Sequence, residues 1–135
     1  MTGKTVAAKL GLKLGYRILL IAPPPDGAAL MGPLPGDAAL ATEGDGPFDA
    51  VIVFVPTSAT LTTHSARAIA ALKPGGLLWL AYPKKTGAVQ SDMHRERAWE
   101  AFSALDWRPV SQVAIDDTWS ALRFRPVADV RSAQT

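Results

Sequence analysis

Two apolar runs, 50–55 and 77–82, stand on either side of a segment whose apolar residues recur at helical spacing. Leu61, Ala68, Ile69 and Leu72 fall on one face of that segment, and Thr57 or Ser58, just after Pro56, can cap its start. Lys73-Pro74-Gly75-Gly76 then reads as a tight turn that ends the helix and opens the second run. Unbroken apolar runs mark strands buried on both faces, and strand–helix–strand is the unit that joins parallel neighbours. The centre of the chain is therefore expected to be a βαβ unit.

Upstream, Val6 and Leu10 share a face of a short helix that Thr5 can cap and Gly11 can end. Gly15 turns the chain into a first strand over 16–22. Five prolines between 23 and 37 leave room for a turn or two of helix around 28–31. Residues 38–42 present a conflict. They resemble a short edge strand, yet only 43–48 separates them from the next strand, and a parallel crossover needs about a dozen residues. The segment is a very short strand, an antiparallel one, or no strand.

Downstream, Ser91 can cap a helix over 93–105 that buries Ala98, Phe102 and Leu105, with Trp99 flanking that face. Segments 107–115 and 118–125 follow, joined at Asp116-Asp117 as a hairpin. Residues 126–135 lack periodicity and read as a frayed tail. The expected fold is α/β: one three-layer Rossmann-like domain over 1–125, a mixed sheet with central parallel strands 16–22, 50–55 and 77–82 and a C-terminal antiparallel hairpin.

Composition narrows the chemistry. The 135 residues are 48% hydrophobic and 19% charged, with no cysteine, which removes disulfides, thiolate metal sites and cysteine nucleophiles. No apolar run nears the ~18 residues of a membrane span, so a cytoplasmic protein is expected. The net charge of +2 is unevenly spread. Residues 1–25 carry Lys4, Lys9, Lys13 and Arg17 without an acid, whereas 26–66 carry Asp26, Asp37, Glu43, Asp45 and Asp49 without Lys or Arg. A basic end suits polyanion contact, although four scattered cations read more simply as a solvated face.

The order of strand, helix, Leu72-Lys73-Pro74-Gly75-Gly76 turn, strand, helix and closing hairpin resembles the class I methyltransferases over about residues 14–125. That resemblance implies a nucleotide loop after the first strand, with backbone N–H groups on the ligand. Here the loop is Ala22-Pro23-Pro24-Pro25-Asp26-Gly27, which lacks the glycine pattern, and its three prolines carry no N–H. Glu43 sits about twenty residues beyond the first strand, where a ribose-binding carboxylate would stand, but in Thr42-Glu43-Gly44-Asp45 it reads as a solvated loop acid. Neither S-adenosylmethionine nor NAD is expected to bind tightly, and no other cofactor is implied. A second set of motifs, Pro83-Lys84-Lys85-Thr86-Gly87 and Asp117-Thr118-Trp119-Ser120-Ala121, is similar to a small bacterial family of unknown function that pairs such a loop with such a strand start. It brings no reaction with it.

Open α/β sheets bind ligands beyond the carboxyl ends of their strands. Pro23–Asp26, Pro56–Ser58 and Pro83–Thr86 all follow parallel strands, and the Asp116-Asp117 turn joins them if 107–115 also runs parallel. Lys84, Lys85, Asp116, Asp117, Trp119 and Ser120 are thus the candidate ligand- or partner-binding residues. The same residues can equally fasten the loop to the hairpin, with Trp119 packed beneath. His64 and His94 lack metal-ligand spacing, no metal site is expected, and Ser58, Ser91 and Ser120 lack a nucleophile-elbow context. Arg95, Arg97 and Arg108 read as surface charge. Three functions stay open: a non-catalytic Rossmann-like domain binding a partner or small ligand, a methyltransferase with an altered cofactor loop, and a nucleic-acid accessory protein.

Overall fold

A computed structural model describes residues 6–25, 27–32, 34, 36–44, 46–55, 61–83, 95–116 and 118–127. In chain order the elements are α1 (Val6–Lys9), β1 (Arg17–Ile21), α2 (Gly27–Met31), β2 (Ala39–Ala41), β3 (Phe48–Phe54), α3 (Leu61–Ala71), β4 (Leu72–Pro83), α4 (Arg95–Ser103), β5 (Trp107–Ala114) and β6 (Trp119–Pro126). The strands form one sheet in the order β2-β1-β3-β4-β6-β5. β1 through β4 are parallel, β6 runs against both β4 and β5, and β5 therefore points the same way as β1–β4. The expected α/β mixed sheet with a closing antiparallel hairpin is what the chain forms.

The conflict over 38–42 resolves through strand order. β2 is a three-residue strand that pairs parallel with β1, Arg17 opposite Ala39 and Leu19 opposite Ala41. Its crossover is the stretch from Ala22 through α2, which is long enough. The short link after β2 joins strands that are not neighbours, because β1 lies between β2 and β3.

The Lys73–Gly76 segment differs from a plain turn between helix and strand. Phe48 pairs with Leu72 and Ala50 next pairs with Leu77, so these four residues swell out of an already started ladder. Gly75 takes φ +79, a left-handed angle that favours glycine. At Gly76 an added Cβ would stand 2.9 Å from the Asp49 carbonyl oxygen and 3.0 Å from that of Lys73. The Lys73 ammonium reaches across to the Asp49 carboxylate at 2.5 Å. Asp49 also accepts the Arg17 backbone N–H at 2.8 Å, which ties the starts of β1, β3 and β4 together.

Alternate strand residues feed two cores. Leu19, Ile21, Val51, Val53, Leu78 and Leu80 pack beneath α3 and α4 with Ala68, Ala98 and Phe102. Phe102 stacks on Phe124 with 4.1 Å between ring centres. On the other face, Ile18, Leu20, Ile52, Trp79 and Ala81 pack against Ala7, Leu10, Leu12 and Met31. The Trp79 indole N–H donates to the Leu10 carbonyl at 2.9 Å, pinning the N-terminal segment to the sheet.

Three boundaries depart from expectation. Leu105 is 40% exposed rather than buried. α4 ends at Ser103, the Leu105 N–H turns back to the Phe102 carbonyl, and Asp106 takes φ 64, which rotates Leu105 off the core face. Ordered pairing also runs beyond 125: Pro126 lies opposite Trp107, and the Val127 N–H donates to the Asp106 carbonyl at 2.9 Å. The rest of the expected tail, 128–135, lies outside the described residues, as do the proposed caps Thr57, Ser58 and Ser91. Third, Pro109 and a bulge between Pro109 and Ser111 interrupt β5, blunting this sheet edge against further strand pairing. No helix among the described residues is long and apolar enough to cross a membrane.

Candidate ligand edge

The carboxyl ends of β1, β2, β3, β4 and β5 share one edge, which also holds the start of β6. Strand order reverses between β1 and β3, so the topological switch point lies where Ala22 and Val55 leave the sheet. Ala22 leaves β1 at φ 53, an unusual angle for a residue with a Cβ. The Pro24 carbonyl then accepts the Gly27 N–H at 2.8 Å and closes the loop on itself. Gly27 is buried, and a Cβ there would lie 2.5 Å from the Pro23 side chain. Three residues of this loop have no N–H, and the Gly27 N–H is already engaged. Glu43 is exposed and leaves β2 at the same edge.

Of the six candidate residues, Lys84, Lys85 and Asp117 lie outside the described residues. The other three do reach this edge, where Trp119 pairs with Pro83 and Ser120 with Tyr82. Each has a structural task there. One Asp116 carboxylate oxygen accepts the N–H groups of Thr118 at 2.8 Å and Trp119 at 2.7 Å, shaping the hairpin turn. Trp119 is buried and stands edge-on to Phe54, 5.3 Å between ring centres at 85°. The Ser120 hydroxyl accepts from the Gln112 side-chain amide at 3.0 Å and donates to the Val113 carbonyl at 3.4 Å.

Two residues that sequence reasoning passed over complete this cluster. The Gln112 amide nitrogen also donates to the Tyr82 hydroxyl at 3.2 Å, joining β4, β5 and β6 through side chains. Tyr82 ends an apolar run and hides its polar tip in that reading. Gln112 shares a face with Tyr82 and Ser120 only because the bulge between Pro109 and Ser111 resets the alternation of β5. Counting from Trp107 gives the wrong parity.

The remaining candidates divide similarly. Among the four cations of the N-terminal segment, Lys9 donates to the Ala114 carbonyl at 3.2 Å, and Arg17 donates to the Pro47 carbonyl at 3.3 Å with its guanidinium 4.7 Å over the Phe48 ring. Lys13 is exposed and Lys4 lies outside the described residues. His64 is half-buried on α3 with its Nδ1 unpartnered; His94 and the side chains of Arg95 and Arg97 fall outside what is described. No group of three or more metal-ligating side chains occurs among the described residues.

No protein-family model and no curated protein sequence matches this chain. Solved structures do. DhpI in its SAH complex superposes with a TM-score of 0.59 at 14% identity, over 90% of this chain and 80% of that one. The ribosomal protein L11 methylase of Lactobacillus delbrueckii subsp. bulgaricus gives 0.57 at 10% identity, over 90% and 74%. The Burkholderia thailandensis 1,6-didemethyltoxoflavin-N1-methyltransferase gives 0.54 at 15% identity, over 90% and 74%. At these identities the likeness is one of fold: the chain has a methyltransferase-like Rossmann fold.

Proposed function

We propose that this chain is a non-catalytic member of the methyltransferase-like fold, which binds a partner or small ligand at the carboxyl edge of its strands and transfers no methyl group. The observation that carries this reading is the Ala22–Gly27 loop. A nucleotide loop works by bringing free backbone N–H groups close to the ligand. Here Pro23, Pro24 and Pro25 have none, and the Gly27 N–H is spent on the Pro24 carbonyl. The glycine that would allow close approach is instead filled by the Pro23 side chain. Across the edge, Asp116, Trp119 and Ser120 build a firm rim in which one Asp116 oxygen and the Ser120 hydroxyl already have partners and Trp119 is packed on Phe54, which suits a docking platform better than acid–base chemistry.

A second reading, a methyltransferase using S-adenosylmethionine through an altered loop, is favoured by one observation. Glu43 leaves β2 beside the switch point, where a ribose-binding carboxylate belongs, on a fold shared with proteins that carry such ligands. Calorimetric titration of the full chain with S-adenosylmethionine separates the two. Absence of saturable heat is expected. A dissociation constant near or below ~1 μM, about −8 kcal/mol, would establish the second reading instead.

A further inference from the structure

At the opposite edge, where β4 and β5 begin and β6 ends, lies a cavity of about 380 Å³ whose lining includes Lys73, Gly76, Trp107, Arg123, Arg125 and Pro126. Its volume falls in the range of small-molecule sites, roughly 300–1,000 Å³. Arg123 and Arg125 are two residues apart on one strand, so their side chains leave the same face. Among the described residues, no carboxylate lines the cavity. Lys73 brings a third cation, but Asp49 already neutralises it at 2.5 Å. Two guanidinium charges are left without a counter-charge in the lining.

Arg123 is the lining residue that points most directly to a ligand. Its Nε is buried and has no hydrogen-bond partner. That N–H has lost water without gaining an acceptor, which is costly for a polar group. Desolvation, and then the neighbouring Arg125 charge, push its pKa below the ordinary arginine value, while Tyr16 opposes the shift. An anion seated between the two arginines would relieve both penalties and supply the missing acceptor. Trp107 and Pro126, opposite each other in the ladder, also line the cavity where the sheet ends, and the Trp107 side chain packs on the α4 face, away from the two arginines.

We propose that this cavity binds a phosphate monoester, with Arg123 and Arg125 on the phosphate. Two adjacent guanidinium groups match a dianionic phosphate in charge and in the paired N–H···O geometry that arginine prefers. The out-swung Lys73–Gly76 segment forms the far wall, which gives that break in the β3–β4 ladder a role in the cavity. The site is independent of the carboxyl edge and stands whether or not S-adenosylmethionine binds there.

Calorimetric titration of the full chain with adenosine 5′-monophosphate, inorganic phosphate and adenosine tests this. The monophosphate should bind one to one, with a dissociation constant between about 1 μM and 1 mM. Inorganic phosphate should compete for the same site, and adenosine should give no saturable heat. Arg123→Gln and Arg125→Gln should each weaken the monophosphate about tenfold or more, while Lys13→Gln, an exposed cation elsewhere, changes nothing. Melting curves accompany each variant, and Arg125→Gln serves if Arg123→Gln does not fold. Absence of saturable heat with the monophosphate, or affinity unchanged in a folded arginine variant, would overturn the proposal. So would a single-stranded oligonucleotide that outcompetes the monomer with steep salt dependence, since that marks a nucleic-acid surface.

Discussion

The Asp49 carboxylate holds the Lys73 ammonium at 2.5 Å and, through its other oxygen, the Arg17 backbone N–H at 2.8 Å. One side chain at the start of a central strand thus fixes both the neighbouring strand and the segment that leaves the ladder. Its pKa is lowered, chiefly by the Lys73 hydrogen bond and then by the Arg17 N–H, against a smaller opposing effect of burial.

A carboxylate with a depressed folded-state pKa contributes stability that is present above its unfolded value, near 3.9, and is lost as pH falls through the folded value. Stability should therefore decline below about pH 4 with a contribution that Asp49→Asn removes. Asp49→Ala should also lose the acceptor for the Arg17 N–H, about 1 kcal/mol near neutral pH. Urea unfolding of the three proteins at pH 7 and pH 3 checks both points. An acid sensitivity equal in wild type and Asp49→Asn would contradict the assignment.

The two glycines of the swollen segment should behave differently. A methyl at Gly76 meets two backbone carbonyl oxygens within 3.0 Å and cannot be accommodated by a side-chain shift alone. Gly76→Ala should cost about 1–3 kcal/mol through overpacking. Gly75 faces open space, so Gly75→Ala pays only for its positive φ, about 1–2 kcal/mol. Thermal melts of both variants are the check, with Gly76→Ala expected to be the lower-melting one.

At the hairpin, Trp119→Ala should cost about 3–5 kcal/mol by emptying a buried site against Phe54. Asp116→Ala should cost about 1 kcal/mol, since it removes the turn acceptor from an exposed position. Denaturant midpoints give the order. If Asp116→Ala proved the more damaging, the hairpin would depend on its turn rather than on the indole.

The central βαβ unit and the hairpin were legible because they rest on local signals: two apolar runs, helical spacing through Ala68, and a turn at Asp116. The placement of β2 was not, because which strand Ala39–Ala41 joins is a matter of sheet order rather than of local pattern. The carboxyl edge was readable in outline, since strand direction brings Pro83 and Trp119 side by side. Gln112 was hidden by a bulge that changes the face of every later residue in β5. The Arg123–Arg125 cavity was invisible for a similar reason. Alternate residues of a strand announce a shared face, but Trp107 and Lys73 meet them only through the sheet.

The closed proline loop is tested most directly by the backbone amide spectrum of the ¹⁵N-labelled chain titrated with S-adenosylhomocysteine. A loop whose three prolines carry no N–H and whose Gly27 N–H is engaged predicts that the amides of Ala22, Gly27 and Glu43 stay where they are up to about 1 mM ligand, a concentration that reveals binding as weak as about −4 kcal/mol. Saturable shifts at these three amides within that range would contradict it and place a nucleotide at the switch point.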